Sequence, residues 1–423
     1  MNPTLTERCR PPANVRSVTR RCAVRTAGVA ILYAALLPCL LLIGKHQSYP
    51  GDSLGMQPSG GGLGVAANQM LGRGPETDFL LDYAGAFALT HDDNAYDIGA
   101  TLTERVGHPW PVSTANTHPP TLLTLVLPLT WMSYPHALAA WALAMVFVVV
   151  GTLWLAGVRT AYAIPAGIAT CLTFPGAYGI GNPVPVIAFG MALAYRCRHK
   201  PWLAGIGLML AAAPKLSGVL IFLPFLASRR LRAVLYGAAS MGIVAFIPML
   251  WDRDVWSRYL DTGVEAGRLN AARDDNASLL NLADKWHVPK FVAVAIVVFA
   301  AIVMVRVTRD FLRPTIWLTV ASLPIAWHYA LLTFIPLWWW TGRRVVPRTL
   351  ALAAIGLTLA CPPLGRWSVV MFPIIVLLTF AAVCMSAGSS DEETQFARHD
   401  FGWNWRTPSK FAQARSAAVR LYE

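Results

Sequence analysis

Two aspartates, Asp78 and Asp82, stand four residues apart in a polar segment that follows the first apolar run of the chain. Residues at this spacing lie one turn apart on the same face of a helix. A carboxylate here could take a proton from a hydroxyl group as a general base. It could also cap a helix, because Thr77 and Asp78 precede an apolar stretch and Asp is a favoured capping residue. Both roles stay open for Asp78, whereas for Asp82 a solvated surface acid is favoured over a residue that orients a substrate.

Three more polar side chains interrupt apolar sequence farther along the chain, at Asn182, Lys215 and His328. Ionisable residues inside membrane segments are costly and are functional candidates by default. Each of the three also has an ordinary explanation: Asn182 before Pro183 as a turn residue, Lys215 as a snorkelling lysine, and His328 as a hydrogen-bonded histidine between helices. Their occurrence at three successive turns of the chain favours a shared site.

The composition of the chain places these residues in a membrane protein. The sequence is 55% apolar and only 13% charged, and its mean hydropathy is +0.48, which falls outside the range of soluble domains. Five apolar runs approach or reach the roughly 17 to 25 residues that a spanning helix needs: residues 26–43, 136–156, 233–250, 291–305 and 368–386. We therefore predict an all-α polytopic membrane protein.

Positive charge orients the predicted helices. Residues 1–25 carry six arginines and one acid, Glu7, so the N-terminus is predicted to be cytoplasmic. Gly44, Lys45 and His46 follow the first run in place of a small-residue cleavage site, which predicts an uncleaved helix.

The net charge of +13 gathers in short stretches without interleaved aromatics, which is not the pattern of nucleic-acid binding. None of the seven cysteines lies in a long polar loop, so neither a disulfide framework nor a zinc site is expected.

Charge also separates two long loops from the cytoplasmic side. Residues 44–118 hold eight acids and three basic residues, which suits an extracytoplasmic loop, and residues 251–290 form a second polar stretch of mixed charge. Compact basic clusters are expected in the cytoplasm, at residues 196–200, 229–232, 306–313 and 343–344. The predicted organisation is a cytoplasmic N-terminus at 1–25, a transmembrane domain at 26–387 that includes the two loops, and a cytoplasmic tail at 388–423.

The basic clusters divide part of the apolar sequence into three hairpins that must turn back near their middles, at residues 159–196, 200–229 and 313–343. Proline and glycine stop helices, and they stand at residues 176–185, at Pro214-Lys215 and around Pro324, Trp327 and His328. Arms of about 12 to 15 residues reach only roughly 18 to 22 Å, short of the ~30 Å hydrocarbon thickness. Irregular backbone at that depth needs protein or a water-filled cavity around it. The three tips are therefore predicted to line a cavity open to the extracytoplasmic face.

Residues 119–157 pose a conflict for this topology. They hold two apolar segments, separated near residues 133–135, although an odd number of crossings must carry the chain from the acidic loop to a cytoplasmic Arg159. Either the short run at 119–131 is re-entrant or Arg159 lies outside. The prediction is about a dozen transmembrane or re-entrant helices.

Five motifs occur in an order that is found in a known family. They are TDFLLDYAGAFALTHDDNAYD, THPPTLLTLVLPLTWM, GNPVPVIAFGMALAYRCRHKPWLAGIGLMLAAAPKLSG, DDNASLL and ASLPIAWHYALLTFIPL. Over residues 75–340 the chain resembles the polyprenol-phosphate-mannose-dependent α-mannosyltransferases of glycosyltransferase family 87, which have the GT-C fold. Two pairs depart from the family pattern: Gly181-Asn182 stands in place of Gly-Gln, and Leu323-Pro324 in place of Ser-Pro.

The resemblance implies an integral-membrane glycosyltransferase that moves a hexose, mannose in the family, from a polyprenyl-phosphate donor to a glycolipid or glycan acceptor. Asp78 matches the family's catalytic aspartate and would be the general base of an inverting transfer. Lys215, as a compact point charge, and His328, as a protonated donor, would hold the donor phosphate. Substrate-binding or supporting roles are implied for Asp82, Tyr83, Asn182, Asn276, Ser278 and Tyr329. The active site would face the extracytoplasmic side of the plasma membrane, among membrane lipids and with no nucleic acid as a partner.

No metal and no cofactor is expected. The pairs Asp92-Asp93 and Asp274-Asp275 look like acidic metal motifs, but a bare acid pair offers too few ligands for magnesium, so solvated loops are favoured. Two rival functions stay open. A transporter or flippase of a lipid-linked sugar would be expected to show inverted repeats, and none is detectable; a lipid-linked glycan ligase would be expected to use arginines in a large late loop, whereas here an acidic loop comes first.

Overall fold

The computed structural model describes residues 77–99, 116–173, 181–271, 276–308, 311–323, 328–340, 345–360 and 366–386. The regular structure in these ranges is helical, and they contain no strand. The prediction of an all-α protein is therefore confirmed for them. The first apolar run at 26–43 and the tail at 388–423 lie outside the described residues.

Sixteen α-helices follow one another in the described ranges: α1 Thr77–Leu89, α2 Pro120–Val126, α3 Tyr134–Leu155, α4 Thr160–Thr173, α5 Val184–Arg196, α6 Pro201–Ala212, α7 Phe222–Ala227, α8 Leu231–Phe246, α9 Val255–Arg258, α10 Val264–Ala271, α11 Leu279–Lys285, α12 Lys290–Thr308, α13 Leu312–Ala321, α14 Ile335–Trp339, α15 Val345–Ala360 and α16 Arg366–Met385. Short 3-10 segments adjoin several of them, at Leu127–Trp131, Leu216–Ile221, Ile247–Leu250 and His328–Phe334. A π-helical turn, Tyr259–Gly263, joins α9 to α10.

Three helices in the described ranges are long and apolar enough to cross a membrane, at Tyr134–Leu155, Leu231–Leu250 and Lys290–Thr308. A helix of about 20 residues is about 30 Å long, which matches the hydrocarbon core. The runs predicted at 136–156, 233–250 and 291–305 thus form the expected helices. The run at 368–386 is also helical, but its apolar stretch, Val370–Met385, is one of six shorter apolar helices.

Described residues outside regular helices lie where the sequence predicted hairpin turns. They are residues 181–183, 213–215 and 322–323. The arms α4, α5 and α6 have 14, 13 and 12 residues, so each is roughly 18 to 21 Å long at a rise of 1.5 Å per residue. These arms are too short to cross the hydrocarbon core unaided. The predicted breakers Pro324 and Trp327 lie outside the described residues.

The apolar run before α3 is short and irregular. It consists of α2 and a 3-10 segment, which together cover the 12 residues Pro120–Trp131. Pro128 stands at the start of the 3-10 segment, and Pro135 stands at the start of α3, where a missing N–H group costs least. By length, α3 can span a membrane and the run before it cannot. This favours the re-entrant alternative for residues 119–131.

Buried apolar side chains form two clusters. One joins α1, α2 and α3 and includes Phe79, Leu122 and Trp141, and the other joins α5 and α6 to helices α12–α16. Helix α6 packs against α5 and α8. Glycines allow α5 and α6 to approach closely: a Cβ atom at Gly190 would lie 2.4 Å from the backbone nitrogen of Ala211, a clash that glycine avoids. This close packing sets the first two hairpin tips side by side.

Candidate active site

Helix α1 is anchored by the aromatic residue that follows its first aspartate. Phe79 is fully buried and stacks on Trp141, with ring centroids 5.1 Å apart, and on Tyr134 at 6.2 Å. Tyr83, one turn on, contacts Phe79 and Tyr134 and donates its hydroxyl to the carbonyl oxygen of Met132 at 2.8 Å. These contacts fix α1 against the start of α3. Tyr83, a predicted supporting residue, therefore holds the helix in position.

Asp78 is joined to the first hairpin tip by a hydrogen bond. The amide nitrogen Nδ2 of Asn182 donates to Oδ2 of Asp78 at 2.6 Å. The amide oxygen of Asn182 accepts the backbone N–H of Val184 at 3.1 Å, which orients the amide so that its NH₂ group faces the carboxylate. Asn182 is buried. Asn182 thus shapes the turn through Val184 and contacts the Asp78 carboxylate, and its role in a functional site stays a prediction.

The same hairpin tip docks on α1 through Gly181. This glycine has a φ of 67°, a backbone conformation that favours glycine. A Cβ atom here would lie 2.4 Å from Cβ of Phe79. The indole Nε1 of Trp141 donates to the Gly181 carbonyl at 2.9 Å. The backbone therefore rests directly on Phe79 and sets Asn182 beside Asp78.

Asp82 is buried rather than solvated, which corrects the sequence-based expectation. It is fully buried, and its Oδ1 atom accepts a hydrogen bond from Nδ2 of Asn116 at 3.3 Å and lies 2.8 Å from Nδ1 of His118. The physical reason is that residues 116–119 fold over the face of α1 that carries Asp82. They supply the polar partners without which burial of a carboxylate would be prohibitive.

The loop that carries His118 is itself held at several points. The backbone N–H of His118 donates to Oδ1 of Asn116 at 2.8 Å, and the hydroxyl of the fully buried Tyr96 donates to the His118 carbonyl at 3.1 Å. Sequence reasoning missed both His118 and Asn116 as site residues. The available signal was a histidine at the end of the acidic loop, in the string Thr117-His118-Pro119-Pro120 that opens the second motif.

Lys215 lies at the second hairpin tip, directly before the 3-10 segment that begins at Leu216. Thr121 of α2 holds this tip, because its Oγ1 donates to the carbonyl oxygen of Ala213 at 2.6 Å. Lys215 interacts electrostatically with both Asp78 and Asp82. The structure therefore places Lys215 within electrostatic range of the two aspartates.

The environment of Asp78 increases its affinity for a proton. Asp78 lies outside the three long apolar helices, and its side chain is half-buried. Burial raises the pKa of Asp78 above its ordinary value, and the charge of Asp82 raises it further. Three neighbours oppose this rise: His118, Asn182 through its hydrogen bond, and Lys215. A general base is most effective when its pKa lies near the working pH, so a raised pKa suits a proton acceptor.

Asn276 and Ser278 lie in a separate buried cluster at the start of α11. Ser278 is the N-cap of this helix, and its Oγ accepts the backbone N–H of Asn281 at 3.1 Å. Oδ1 of Asn276 accepts the N–H of Ser278 at 3.0 Å, and Nδ2 of Asn281 donates to the Asn276 carbonyl at 2.6 Å. Both predicted residues are fully buried. These hydrogen bonds build a helix cap, and none of them reaches Asp78.

The third hairpin tip lies against the helix that follows Asn182. The 3-10 segment His328–Phe334 packs against α5 and α13. The side chains of His328 and Tyr329 lie outside the described part of the structure, as do Asp274 and Asp275. Asp92 and Asp93 are exposed in the turn after α1. Within the described ranges, no group of three or more His, Cys, Asp or Glu side chains could hold a metal ion.

A carboxylate, an amide and a lysine thus lie near one another between short apolar helices. The family model described as Glycosyltransferase family 87 matches residues 116–323, a range that includes His118, Asn182 and Lys215. The protein is a membrane glycosyltransferase. Residues 116–323 form a glycosyltransferase family 87 domain, as the five motifs indicated, and the protein is an enzyme. No curated protein and no solved structure matched the chain in the two other comparisons.

Proposed function

We propose that this enzyme transfers a hexose, specifically mannose, from a polyprenyl-phosphate donor to a glycolipid or glycan acceptor, with inversion. The observation that carries the proposal is that Asp78 of α1 accepts a hydrogen bond from Asn182 of the first hairpin tip and interacts electrostatically with Lys215 of the second. A sugar linked to a lipid phosphate already has a good leaving group. Transfer then needs a base for the acceptor hydroxyl and a cation for the departing phosphate, and this site offers both.

Asp78 is the base in this proposal. Its Oδ2 atom is held by Asn182, and the half-buried side chain leaves room for an acceptor hydroxyl at the carboxylate. The hydroxyl proton passes to Asp78 as the acceptor oxygen forms a bond to the anomeric carbon. The bond between that carbon and the phosphate oxygen breaks, and its electron pair leaves with the phosphate. Attack from the face opposite the phosphate converts a β-linked donor into an α-linked product.

Lys215 holds the donor phosphate in this proposal. Its side chain is half-buried. Burial lowers the pKa of Lys215, and the neighbouring Asp78 and Asp82 oppose this fall. A partly desolvated ammonium is a compact point charge for a phosphate. His328 would be the second phosphate ligand, a role that rests on the family resemblance and on the packing of its 3-10 segment against α5.

The proposed setting is the extracytoplasmic face of the plasma membrane, in a GT-C fold with a cytoplasmic N-terminus. Single cysteines in a variant that lacks the seven native ones test this orientation. Cysteine at the exposed Asp92 should react with an impermeant thiol reagent added outside, and cysteine at the exposed Ser228 should react only after permeabilisation. External labelling at position 228 would contradict the topology.

The transfer itself is tested with purified protein and synthetic polyprenyl-phosphate-mannose. A membrane lipid extract from a strain that lacks the gene serves as the acceptor pool, because it accumulates the unmodified acceptor. We expect one hexose to be added to an extract component with this donor and none with a nucleotide-linked mannose alone. Transfer from polyprenyl-phosphate-glucose but not mannose would correct the sugar, and transfer from the nucleotide sugar alone would overturn the donor class.

A further inference from the structure

A patch of basic side chains lies at one end of helices α5, α6 and α8. Arg198 and Lys200 stand in the loop between α5 and α6, and Arg229, Arg230 and Arg232 stand at the start of α8. Arg230 is the N-cap residue of α8, and its Nη1 donates a hydrogen bond to the carbonyl oxygen of Arg198. This contact joins the two segments. We call these five residues the basic patch.

Helices α6 and α8 run side by side in the same direction, which keeps the patch together. Their starts are joined by the contact between the two arginines, and their far ends both contact α2. Oγ1 of Thr121 donates to the carbonyl oxygen of Ala213 at 2.6 Å, and Oγ1 of Thr124 donates to the carbonyl oxygen of Val244 at 2.7 Å. The basic residues before and at the start of the two helices therefore lie at the same end of the helix pair.

The guanidinium groups at the centre of the patch are held in place. Nη1 of Arg198 donates to the carbonyl oxygen of Tyr195 at 3.3 Å, and Cζ of Arg198 lies 4.6 Å from the centre of the Tyr195 ring. Arg198 and Arg230 are both half-buried. Each has one described hydrogen bond to a backbone carbonyl, whereas a guanidinium has five N–H donors. The two groups can therefore also bind an anion that accepts several hydrogen bonds, as a phosphate does.

The charge of the patch is not compensated by acids in the described chain. The sequence contains no aspartate or glutamate between Glu104 and Asp252, and the salt bridges of the described residues lie elsewhere. Burial lowers the pKa of His199 in the same loop, and Arg198 and Arg230 lower it further. Cations held close together repel one another, so a bound anion would stabilise this arrangement.

The surface beside the patch is apolar, which favours a lipid over a soluble anion. Trp202, Leu231 and Leu235 are exposed large side chains near the starts of α6 and α8. The segment Leu231–Leu250 is long and apolar enough to cross a membrane, and Arg230 directly precedes it. Lipid headgroups lie at the ends of a spanning helix. A phosphate that carries acyl chains could therefore contact the arginines while its chains cover the apolar side chains.

We propose that the basic patch binds the phosphate headgroup of an anionic phospholipid from the surrounding membrane. Arg198 and Arg230 bind the phosphate oxygens, and the other residues of the patch add positive charge around them. This site is separate from the proposed donor site. Asn182 precedes the start of α5 and Lys215 follows the end of α6, whereas the patch lies where α5 ends and α6 begins. The 13 residues of α5 place the two sites roughly 20 Å apart.

The test measures lipid binding to the purified enzyme after delipidation in detergent, with no sugar donor present. Native mass spectrometry follows the titration with phosphatidylglycerol, and zwitterionic phosphatidylcholine is titrated for comparison. Thermal unfolding with inorganic phosphate at the same concentration tests the headgroup alone. We expect phosphatidylglycerol to bind more tightly than phosphatidylcholine, and we expect inorganic phosphate to leave the unfolding midpoint unchanged.

Charge-removing variants assign the binding to the patch. The double variant Arg198→Gln/Arg230→Gln should lower the affinity for phosphatidylglycerol by roughly 10- to 30-fold, because each basic residue near an anionic lipid surface contributes about a fivefold factor. Its affinity for phosphatidylcholine should not change. Arg198→Lys/Arg230→Lys keeps both charges and should recover part of the loss. The matched control is Arg253→Gln/Arg268→Gln, which removes two exposed arginines after α8 and should leave the affinity unchanged.

Three results would overturn the proposal. They are an unchanged affinity in the Arg198→Gln/Arg230→Gln variant, an equal loss in the control, and stabilisation by inorganic phosphate equal to that by phosphatidylglycerol, which would assign the patch to a soluble phosphate. If the first variant is not monodisperse, Lys200→Gln/Arg232→Gln takes its place, because both side chains are exposed. A loss of affinity in that variant supports the proposal, and an unchanged affinity overturns it.

Discussion

Two polar clusters of this enzyme both contain buried asparagines, and they differ in the charge that they carry. Around α1, Asp78, Asn182 and the pair of Asp82 with His118 combine hydrogen bonds with charge, and Oδ2 of Asp82 stays without a partner among the described residues. At the start of α11, Asn276, Ser278 and Asn281 contain no charge. Their hydrogen bonds close on each other as a helix cap. A buried Asn or Ser in a family motif can thus cap a helix, whereas a cluster of charged groups with perturbed pKa values is a candidate site for chemistry.

The largest effect is expected from Asp78→Asn. This change keeps the shape and the contact with Asn182 but removes the proton acceptor, so kcat should fall by about 10²- to 10⁴-fold. Initial rates of mannose transfer measure it. The control is Asp92→Asn at an exposed position with a φ of 57°, which asparagine tolerates. Near-normal transfer by Asp78→Asn would remove the assignment and leave Asp78 as a first-turn acid of α1.

Lys215→Ala should weaken donor binding. A charged contact to a phosphate in a partly desolvated site is worth about 1.5 to 3 kcal/mol, so the affinity for polyprenyl-phosphate-mannose should fall by roughly 10- to 100-fold. Equilibrium binding to protein in lipid nanodiscs measures the change. Lys290→Ala removes an exposed lysine whose surface ion pair with Asp284 spans 3.7 Å, and it should leave donor affinity unchanged. Equal affinities for both variants would exclude Lys215 from the phosphate site.

Gly181→Ala should destabilise the protein and reduce transfer together. The added Cβ would clash with Phe79, and the positive φ would be strained for alanine, at a cost of about 1 to 3 kcal/mol. Gly242→Ala is the matched control, because no heavy atom lies within 4 Å of a Cβ at that helical position. Thermal unfolding of the solubilised protein compares the two. An unchanged midpoint for Gly181→Ala would show that the tip does not rest on Phe79.

The smallest effect should come from the cap of α11. Ser278→Ala loses the side-chain cap of the Asn281 N–H, which should cost about 1 kcal/mol of stability, while kcat and donor affinity stay near the parent values. Ser240→Ala, in the middle of α8, should change stability by less than about 0.5 kcal/mol. A large loss of donor affinity in Ser278→Ala, at normal stability, would return Ser278 to the substrate site.

Much of the fold could be predicted from apolar runs and helix breakers. The long helices α3, α8 and α12 follow from continuous apolar sequence, and the break before Lys215 follows from Pro214. The joint placement of Asp78, Asn182 and Lys215 was also expected, through the hairpins and the family motifs. The burial of Asp82 was not, because a spacing of four residues says which face a side chain shares but not what covers that face.

The contact of His118 with Asp82 could not be predicted from the sequence for a similar reason. The residue lies 36 positions from Asp82, and its importance depends on how residues 116–119 close over α1, a tertiary contact without a periodic signal. For Asn276 and Ser278 a substrate role stays a prediction, and the contacts described for them cap α11. Such capping contacts depend on local geometry that a family motif does not specify.

The central proposal is that Asp78 accepts the proton and that Lys215 binds the donor phosphate. Measuring two quantities on the two variants tests it most directly. Donor affinity and the single-turnover transfer rate at saturating donor are measured side by side for Asp78→Asn and Lys215→Ala. We predict that Asp78→Asn loses the transfer rate and keeps donor binding, or tightens it because a negative charge near the phosphate is gone, while Lys215→Ala loses donor binding by the larger factor. Parallel losses of both quantities in both variants, with normal folding, would contradict this division of roles.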